Sequence, residues 1–167
     1  MVEHLVNMVV NGLSGALSKD IIVLIVSMIP ILELRGGILA AGPKFLNIAM
    51  GKAIPICIIG NLIPIPFILL LITKIFDWLK SLPKIAPKIH KLEEKAMSKS
   101  KNISKYEFWG LVLFVGIPLP GTGAWTGALI AALLGIKFKK AFPAIILGVL
   151  LAAVLMTILS YGIIGNL

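Results

Sequence analysis

The chain has 167 residues, 59% of them apolar and 14% charged, with a mean hydropathy of +1.05. Soluble domains carry about 45–50% apolar and about 25% charged residues, so this balance excludes a soluble globular domain, a disordered chain and a disulfide scaffold, and leaves an integral membrane protein. The formal net charge of +9 is uneven: eight of the 16 basic residues are lysines from Lys80 to Lys105, and with only one arginine the chain is not expected to bind nucleic acid.

Residues 2–17 place Val2, Leu5, Val6, Val9, Leu13, Ala16 and Leu17 at helical spacing, with Glu3, His4, Asn7, Asn11 and Ser14 on the other face. This predicts an amphipathic helix that lies at the membrane interface or packs on the bundle. The first residues carry an acid and no Lys or Arg, so no secretory signal is expected.

A spanning helix needs about 20 apolar residues. Ile21–Leu32 has twelve before Glu33 and Arg35, and Gly36–Ala49 is broken by Pro43 and Lys44. Ala53–Thr73 gives 21 uncharged residues, enough to span. Cys57, inside that run, has no partner for an internal disulfide. Residues 77–105 are polar, and Ile89, Leu92, Ala96 and Ile103 predict a short cytoplasmic helix between linkers. Its lysines read as a solvated face that orients the chain, or as attraction to anionic lipid. Phe108–Ile136 is apolar again but interrupted by Pro118-Leu-Pro-Gly-Thr-Gly123, and Ala141–Ile164 is long enough to span.

Broken apolar segments survive in a bilayer only where protein or a wet cavity satisfies their backbone. Residues 21–49 and 108–136 therefore read as re-entrant helical hairpins, broken at Pro30, Pro118 and Pro120, each followed by one spanning helix. The halves align without a gap at an offset of 88, which brings Ile29-Pro30 onto Ile117-Pro118 and Lys52-Ala-x-Pro55 and Gly60 onto Lys140-Ala-x-Pro143 and Gly148. A hairpin plus one span crosses the membrane an odd number of times, so the second repeat is expected to be inverted, a recurrent transporter plan. The predicted fold is thus an all-α integral membrane protein in one domain. It has an amphipathic helix over 1–19, repeat 1 over 20–76, a basic cytoplasmic loop over 77–107 and repeat 2 over 108–167. Twelve lysines gather on the side of that loop and three on the other. The positive-inside rule then puts the loop in the cytoplasm and both termini outside it, in the cell (inner) membrane.

Glu33 and Arg35 stand in the first break. An ionised group at the bilayer centre costs roughly 2.5–3.5 kcal/mol on insertion scales, so its presence there points to function. Three readings remain open: a substrate site, a structural ion pair locking the tips, or a shallow break that reaches water. Thr122 is the expected N-cap of a half-helix whose free N–H groups would attract an anion. With Arg35, Gly36, Gly37, Gly121, Gly123 and Trp125, it would form an anion pocket in which Glu33 exchanges a proton. Gly127 and Gly135 read as packing positions, and Asn61 as the partner of a hydrogen bond within the bundle. Tyr106, Trp109 and Trp78 suit an interfacial belt. No metal site, cofactor or catalytic set is expected, so the chain reads as a non-enzyme.

The stretches Ile29-Pro-Ile-Leu-Glu-Leu-Arg-Gly-Gly-Ile38, Phe108-Trp-Gly-Leu111 and Pro118-Leu-Pro-Gly-Thr-Gly-Ala-Trp-Thr-Gly127 resemble the small multi-drug export protein family. The plan is more loosely similar to the DedA (VTT) membrane proteins, which carry paired re-entrant hairpins with acidic and Arg residues at their tips. That second resemblance implies movement of polyprenyl-phosphate carrier lipids between leaflets. Only Glu33 and Arg35 match it, since the second tip has no charged residue. The expected function is transport of an anionic or amphipathic substrate, a polyprenyl-phosphate-type lipid or a drug-like compound, through a mid-membrane site between the tips, with proton coupling through Glu33. The alternative is a non-transporting membrane scaffold or assembly factor. Membrane lipids and the substrate are the expected partners, and a homodimer fits so short a chain.

Overall fold

The computed structural model describes residues 2–119 and 121–159. The described residues form nine α-helices and no strand. Pro120 and the predicted end of the last span, 160–164, lie outside the described residues, as does the C-terminus whose location the charge pattern predicts.

Helix α1 (Val2–Leu13) buries Val6 and Val10 and packs on α2 and α3, so it joins the bundle. Helices α2 (Lys19–Met28) and α3 (Glu33–Ala41) pack on each other across the Pro30 break. Each is about 15 Å long at 1.5 Å per residue, half of a bilayer's hydrocarbon core of about 30 Å.

Helices α4 (Met50–Leu62) and α5 (Ile65–Lys80) run as one 31-residue apolar stretch, Met50–Lys80, long enough to cross a membrane. The sequence placed residues 77–80 in the loop. They stay helical because Leu79 and Lys80 extend the turn and no breaker precedes Pro83.

Helix α6 (Ala86–Met97) is the helix expected in the basic segment. It buries Ile89 and Ala96 and packs on α5 and α8 (Ala124–Leu133), so it is not a free-standing solvated helix. Helix α7 (Lys101–Gly116) starts before the predicted boundary at 108. It is kinked at Glu107, whose φ of 37° and ψ of −91° are not helical. Helix α9 (Phe138–Thr157) is the second apolar helix of spanning length.

The local structure recurs at the offset seen in the sequence. Helix α2 ends at Met28 and α7 at Gly116; α4 starts at Met50 and α9 at Phe138. The residues that end α2 and α7, Ile29 and Ile117, are both extended. Glu33 and Gly121 both have positive φ (49° and 79°), as do Asn47 and Gly135 (49° and 68°). Lys52 pairs with Asp20 at 2.6 Å, and Lys140 with Glu107. These exposed pairs contribute little stability, but they tie the same two elements in each half.

The closest recurrence is in packing. A Cβ on Gly60 would stand 2.6 Å from the Leu24 carbonyl oxygen and 2.9 Å from Ser27 Cβ. One on Gly148 would stand 2.9 Å from the Val112 carbonyl oxygen and 2.6 Å from Val115 Cβ. Each contact lies 88 residues from its counterpart, and each glycine lets a long helix meet the first arm of its hairpin. Overpacking of this kind costs typically about 1–3 kcal/mol, and backbone gives least. Gly60→Val and Gly148→Val are both expected to lower the melting temperature of the purified protein, whereas Gly51→Val, with open space around it, is not.

Gly127 is a packing position as expected, against Val115 and Leu111. Gly135 is not. No atom lies within 4 Å of its would-be Cβ, and its φ of 68° makes it the turn residue between α8 and α9.

Large apolar side chains remain on the outside, among them Phe67, Leu70, Ile75, Trp109 and Val154. A surface so rich in exposed apolar groups fits contact with lipid. Trp78, Tyr106 and Trp109 are all well exposed.

Candidate functional site

The two hairpin breaks meet, and the groups that join them are those the sequence singled out. Glu33 opens α3 and is 4% exposed. Its carboxylate accepts the backbone N–H groups of Ala124 and Trp125, at 3.2 Å each. These are first-turn donors of α8, which no carbonyl of that helix can satisfy. A carboxylate there is further favoured by the positive end of the helix dipole.

Arg35 sits two residues on in α3, about half a turn around the helix. It donates from Nη1 to the Leu119 carbonyl and from Nη2 to the Thr122 carbonyl, at 2.7 Å each. Two of its five N–H donors are thereby used. The Trp125 indole completes the join by donating to the Met28 carbonyl at 3.1 Å. The acid and the base of the first break thus both serve the backbone of the second: the acid takes its N–H groups and the base takes its carbonyls.

This geometry corrects several expectations. Thr122 is not the N-cap of α8. Gly123 is, with a φ of 134°. The Thr122 hydroxyl instead holds the turn, 2.8 Å from the Ile117 and Leu119 carbonyls and accepting from the Leu119 N–H at 3.2 Å. Two of the amides expected to be free for an anion, those of Ala124 and Trp125, are engaged by Glu33. Glu33 and Arg35 do not form an ion pair with each other within 4 Å; each crosses to the other hairpin.

Gly36 and Gly37 face their own hairpin. A Cβ on Gly36 would stand 2.5 Å from Leu32 Cβ, and one on Gly37 would meet Ser27 Oγ and lie 2.9 Å from Cys57 Sγ. Neither would-be Cβ meets a residue of the second break. Trp125 closes the join through its indole and does not line the cavities around Glu33 and Arg35. Pro30 and Pro118 stand in the two breaks, as expected.

Gly123 is required for the join in two ways. Its φ belongs to the region that disfavours side chains, and a Cβ there would overlap the Glu33 carboxylate. Glu33 has a φ of 49°, a left-handed conformation that costs a non-glycine residue roughly 1–2 kcal/mol. Strain of this sort persists where surroundings over-determine it, and it clusters at functional sites.

Cavities lie on two sides of the join. A void of about 10 Å³, the space of about one water, is lined by Glu33, Arg35, Asn61, Pro118 and Gly123. Asn61 is 2% exposed, and its Oδ1 accepts no hydrogen bond among the described residues. It is a polar group aimed at the Glu33–Arg35 region. The sequence signal was visible, since Asn61 is the one amide within Ala53–Thr73.

On the other side is an open cleft of about 500 Å³, lined by Pro30, Glu33, Arg35, Thr122, Lys95 and Lys99, among others. Sequence reasoning missed the two lysines. Lys99 donates to the Gly121 carbonyl at 2.7 Å, which draws the end of the basic segment to the second break. Their i, i+4 spacing puts both on one face of α6 and its extension.

The sequence model of the family described as "Putative small multi-drug export protein" matches residues 33–155, and the chain belongs to that family. No curated protein and no solved structure matches it.

Proposed function

We propose that this member of the small multi-drug export family is an integral membrane transporter for an anionic or amphipathic substrate, and that the join between the hairpin breaks is its gate. The observation that carries the reading is the pattern of bonds at Glu33 and Arg35. Two ionisable groups, costly at membrane depth, are spent on the backbone of the opposite break, beside a small void and an open cleft. An anion competes with the Leu119 and Thr122 carbonyls for the Arg35 guanidinium. Protonation of Glu33 removes the charge that holds the α8 amides and loosens the same join, which makes proton coupling the natural partner of transport.

In this reading α2–α3 and the paired arms of α7 and α8 are re-entrant hairpins, and the two halves are inverted repeats. The half-bilayer length of α2, α3 and α8 and the recurrence at 88 residues support it. The lysine-rich side faces the cytoplasm of a cell inner membrane.

The test is flux through proteoliposomes holding the purified chain, with a polyprenyl phosphate and a lipophilic cation compared side by side. The native chain is expected to move the polyprenyl phosphate, and Glu33→Gln to lose most of that flux when assayed below its own melting temperature. Gln removes the charge and the proton and keeps one carbonyl acceptor, so one of the Ala124 and Trp125 amides loses its partner and faces the Gln NH2. Normal flux in Glu33→Gln overturns the gate.

A second reading, a scaffold without transport, is favoured by the completeness of the join itself, which leaves no amide of the α8 start at Ala124 or Trp125 for a ligand. No flux of either compound in the native chain, with strong stability coupling between Glu33 and Arg35, selects it.

A further inference from the structure

Helix α6 was read from sequence as a topology signal, yet the structure lays it beside both hairpin breaks. Leu92, Lys95, Ala96 and Lys99 line the cleft of about 500 Å³, and so does Arg35. Three cations therefore face one cleft. Its only lining acid, Glu33, has its carboxylate on the Ala124 and Trp125 amides. Lys95 pairs with no acid among the described residues. The guanidinium of Arg35 has N–H donors beyond the two it spends on carbonyls.

A second cleft, of about 520 Å³, adjoins the first. Its walls are Tyr106, Trp109, Leu113, Phe114, Ile117 and Leu119, and it shares Lys99 and Thr122 with the cationic cleft. Trp109 is 64% exposed and Leu113 53%, so this trough opens to the outside of the helix bundle. A cationic chamber and an apolar trough thus meet at one lysine.

We infer that α6 and the two hairpin breaks together form the binding site of an amphipathic anion, with its charged head among Arg35, Lys95 and Lys99 and its apolar tail along Tyr106, Trp109 and Leu113. Lys99 marks the junction of head and tail. A head that draws Lys99 away from the Gly121 carbonyl, and Arg35 from those of Leu119 and Thr122, breaks three bonds that tie α3 and the end of the basic segment to the second break. This site rests on the transport reading for its purpose, as the place where substrate meets the gate, but binding there can be measured without transport.

The experiment is equilibrium titration of the full chain in nanodiscs of zwitterionic lipid. The probes are dodecyl phosphate, inorganic phosphate and dodecyltrimethylammonium. Dodecyl phosphate is expected to bind at least roughly tenfold more tightly than either of the others. The double variant Lys95→Gln, Lys99→Gln is expected to weaken dodecyl phosphate binding by about tenfold or more, since each lysine beside a phosphate contributes on the order of that gained near an anionic surface. Trp109→Ala is expected to weaken dodecyl phosphate and leave inorganic phosphate unchanged. Lys99→Gln also gives up the charged bond to the Gly121 carbonyl, so binding by each variant is measured below its own melting temperature.

Inorganic phosphate binding as tightly as dodecyl phosphate overturns the site as one for an amphiphile and points to a free anion. Equal binding of dodecyltrimethylammonium, or a double lysine variant that binds like the native chain, overturns the assignment of the head. If dodecyl phosphate binding depends on the lysines while Glu33→Gln carries normal flux, the gate falls and this site stands. If Glu33→Gln loses flux and the lysines do not matter to binding, the gate stands and this site falls.

Discussion

Gly123→Ala is expected to lower stability by about 3 kcal/mol or more, through two separate effects. The first is backbone strain of roughly 1–3 kcal/mol at a φ of 134°. The second is the loss of the Glu33 carboxylate from the α8 start, because the new methyl group takes its place. Each buried N–H left unpaired costs about 1–3 kcal/mol. For a chain of this size the melting temperature should fall by roughly 6–12 °C. Gly135→Ala is the control: its φ of 68° carries strain, yet its would-be Cβ has open space, so only the strain is paid.

The cause can be isolated in a double-mutant cycle with Glu33→Ala. Once the carboxylate is gone, an alanine at 123 has nothing to displace, and its remaining cost is the strain alone. The two substitutions should therefore be strongly non-additive, the pair costing less than the sum. Simple additivity would mean that Gly123 and Glu33 act independently, and that the contact between them does not hold the breaks together.

Much of this arrangement is legible in the sequence, for identifiable reasons. Proline and glycine interrupt the apolar runs at Pro30 and at Pro118-Leu-Pro-Gly-Thr-Gly123, and the structure breaks its helices there. The offset of 88 is carried by Lys-Ala-x-Pro and a glycine, and the glycine recurs because each long helix meets its hairpin at the same height. Glu33 and Arg35 stand out because charge in such surroundings is costly.

What these groups bond to is not legible. A capping rule picks Thr122, because threonine caps helices more often than glycine does. The helix starts one residue later because a carboxylate from 91 residues away takes the place of a cap, and only a glycine leaves it room. The position of α6 is hidden in the same way. Composition marks Lys95 and Lys99 as solvated, and nothing local in 86–99 records that Lys99 reaches Gly121. Asn61 is visible as an isolated amide, but whether it meets a partner or a void depends on four other helices.

Arg35→Ala and Arg35→Lys separate the shape of the guanidinium from its charge. In the native chain one planar group spans two carbonyls, Leu119 and Thr122, at 2.7 Å each. Hydrogen bonds to charged groups contribute about 1.5–3 kcal/mol apiece, so Arg35→Ala is expected to cost about 3 kcal/mol in a bilayer. Lysine keeps the charge as a point donor and cannot match a two-point fork. Arg35→Lys is therefore expected to recover about half of that stability, holding one carbonyl and not both. The same two variants, assayed for flux below their melting temperatures, tell what the fork is for. If holding the second break is its task, flux follows stability, and the lysine variant falls between alanine and the native chain. Full flux in Arg35→Lys with its stability still reduced would mean that charge alone serves transport, and the two-carbonyl bridge would then be no part of the gate.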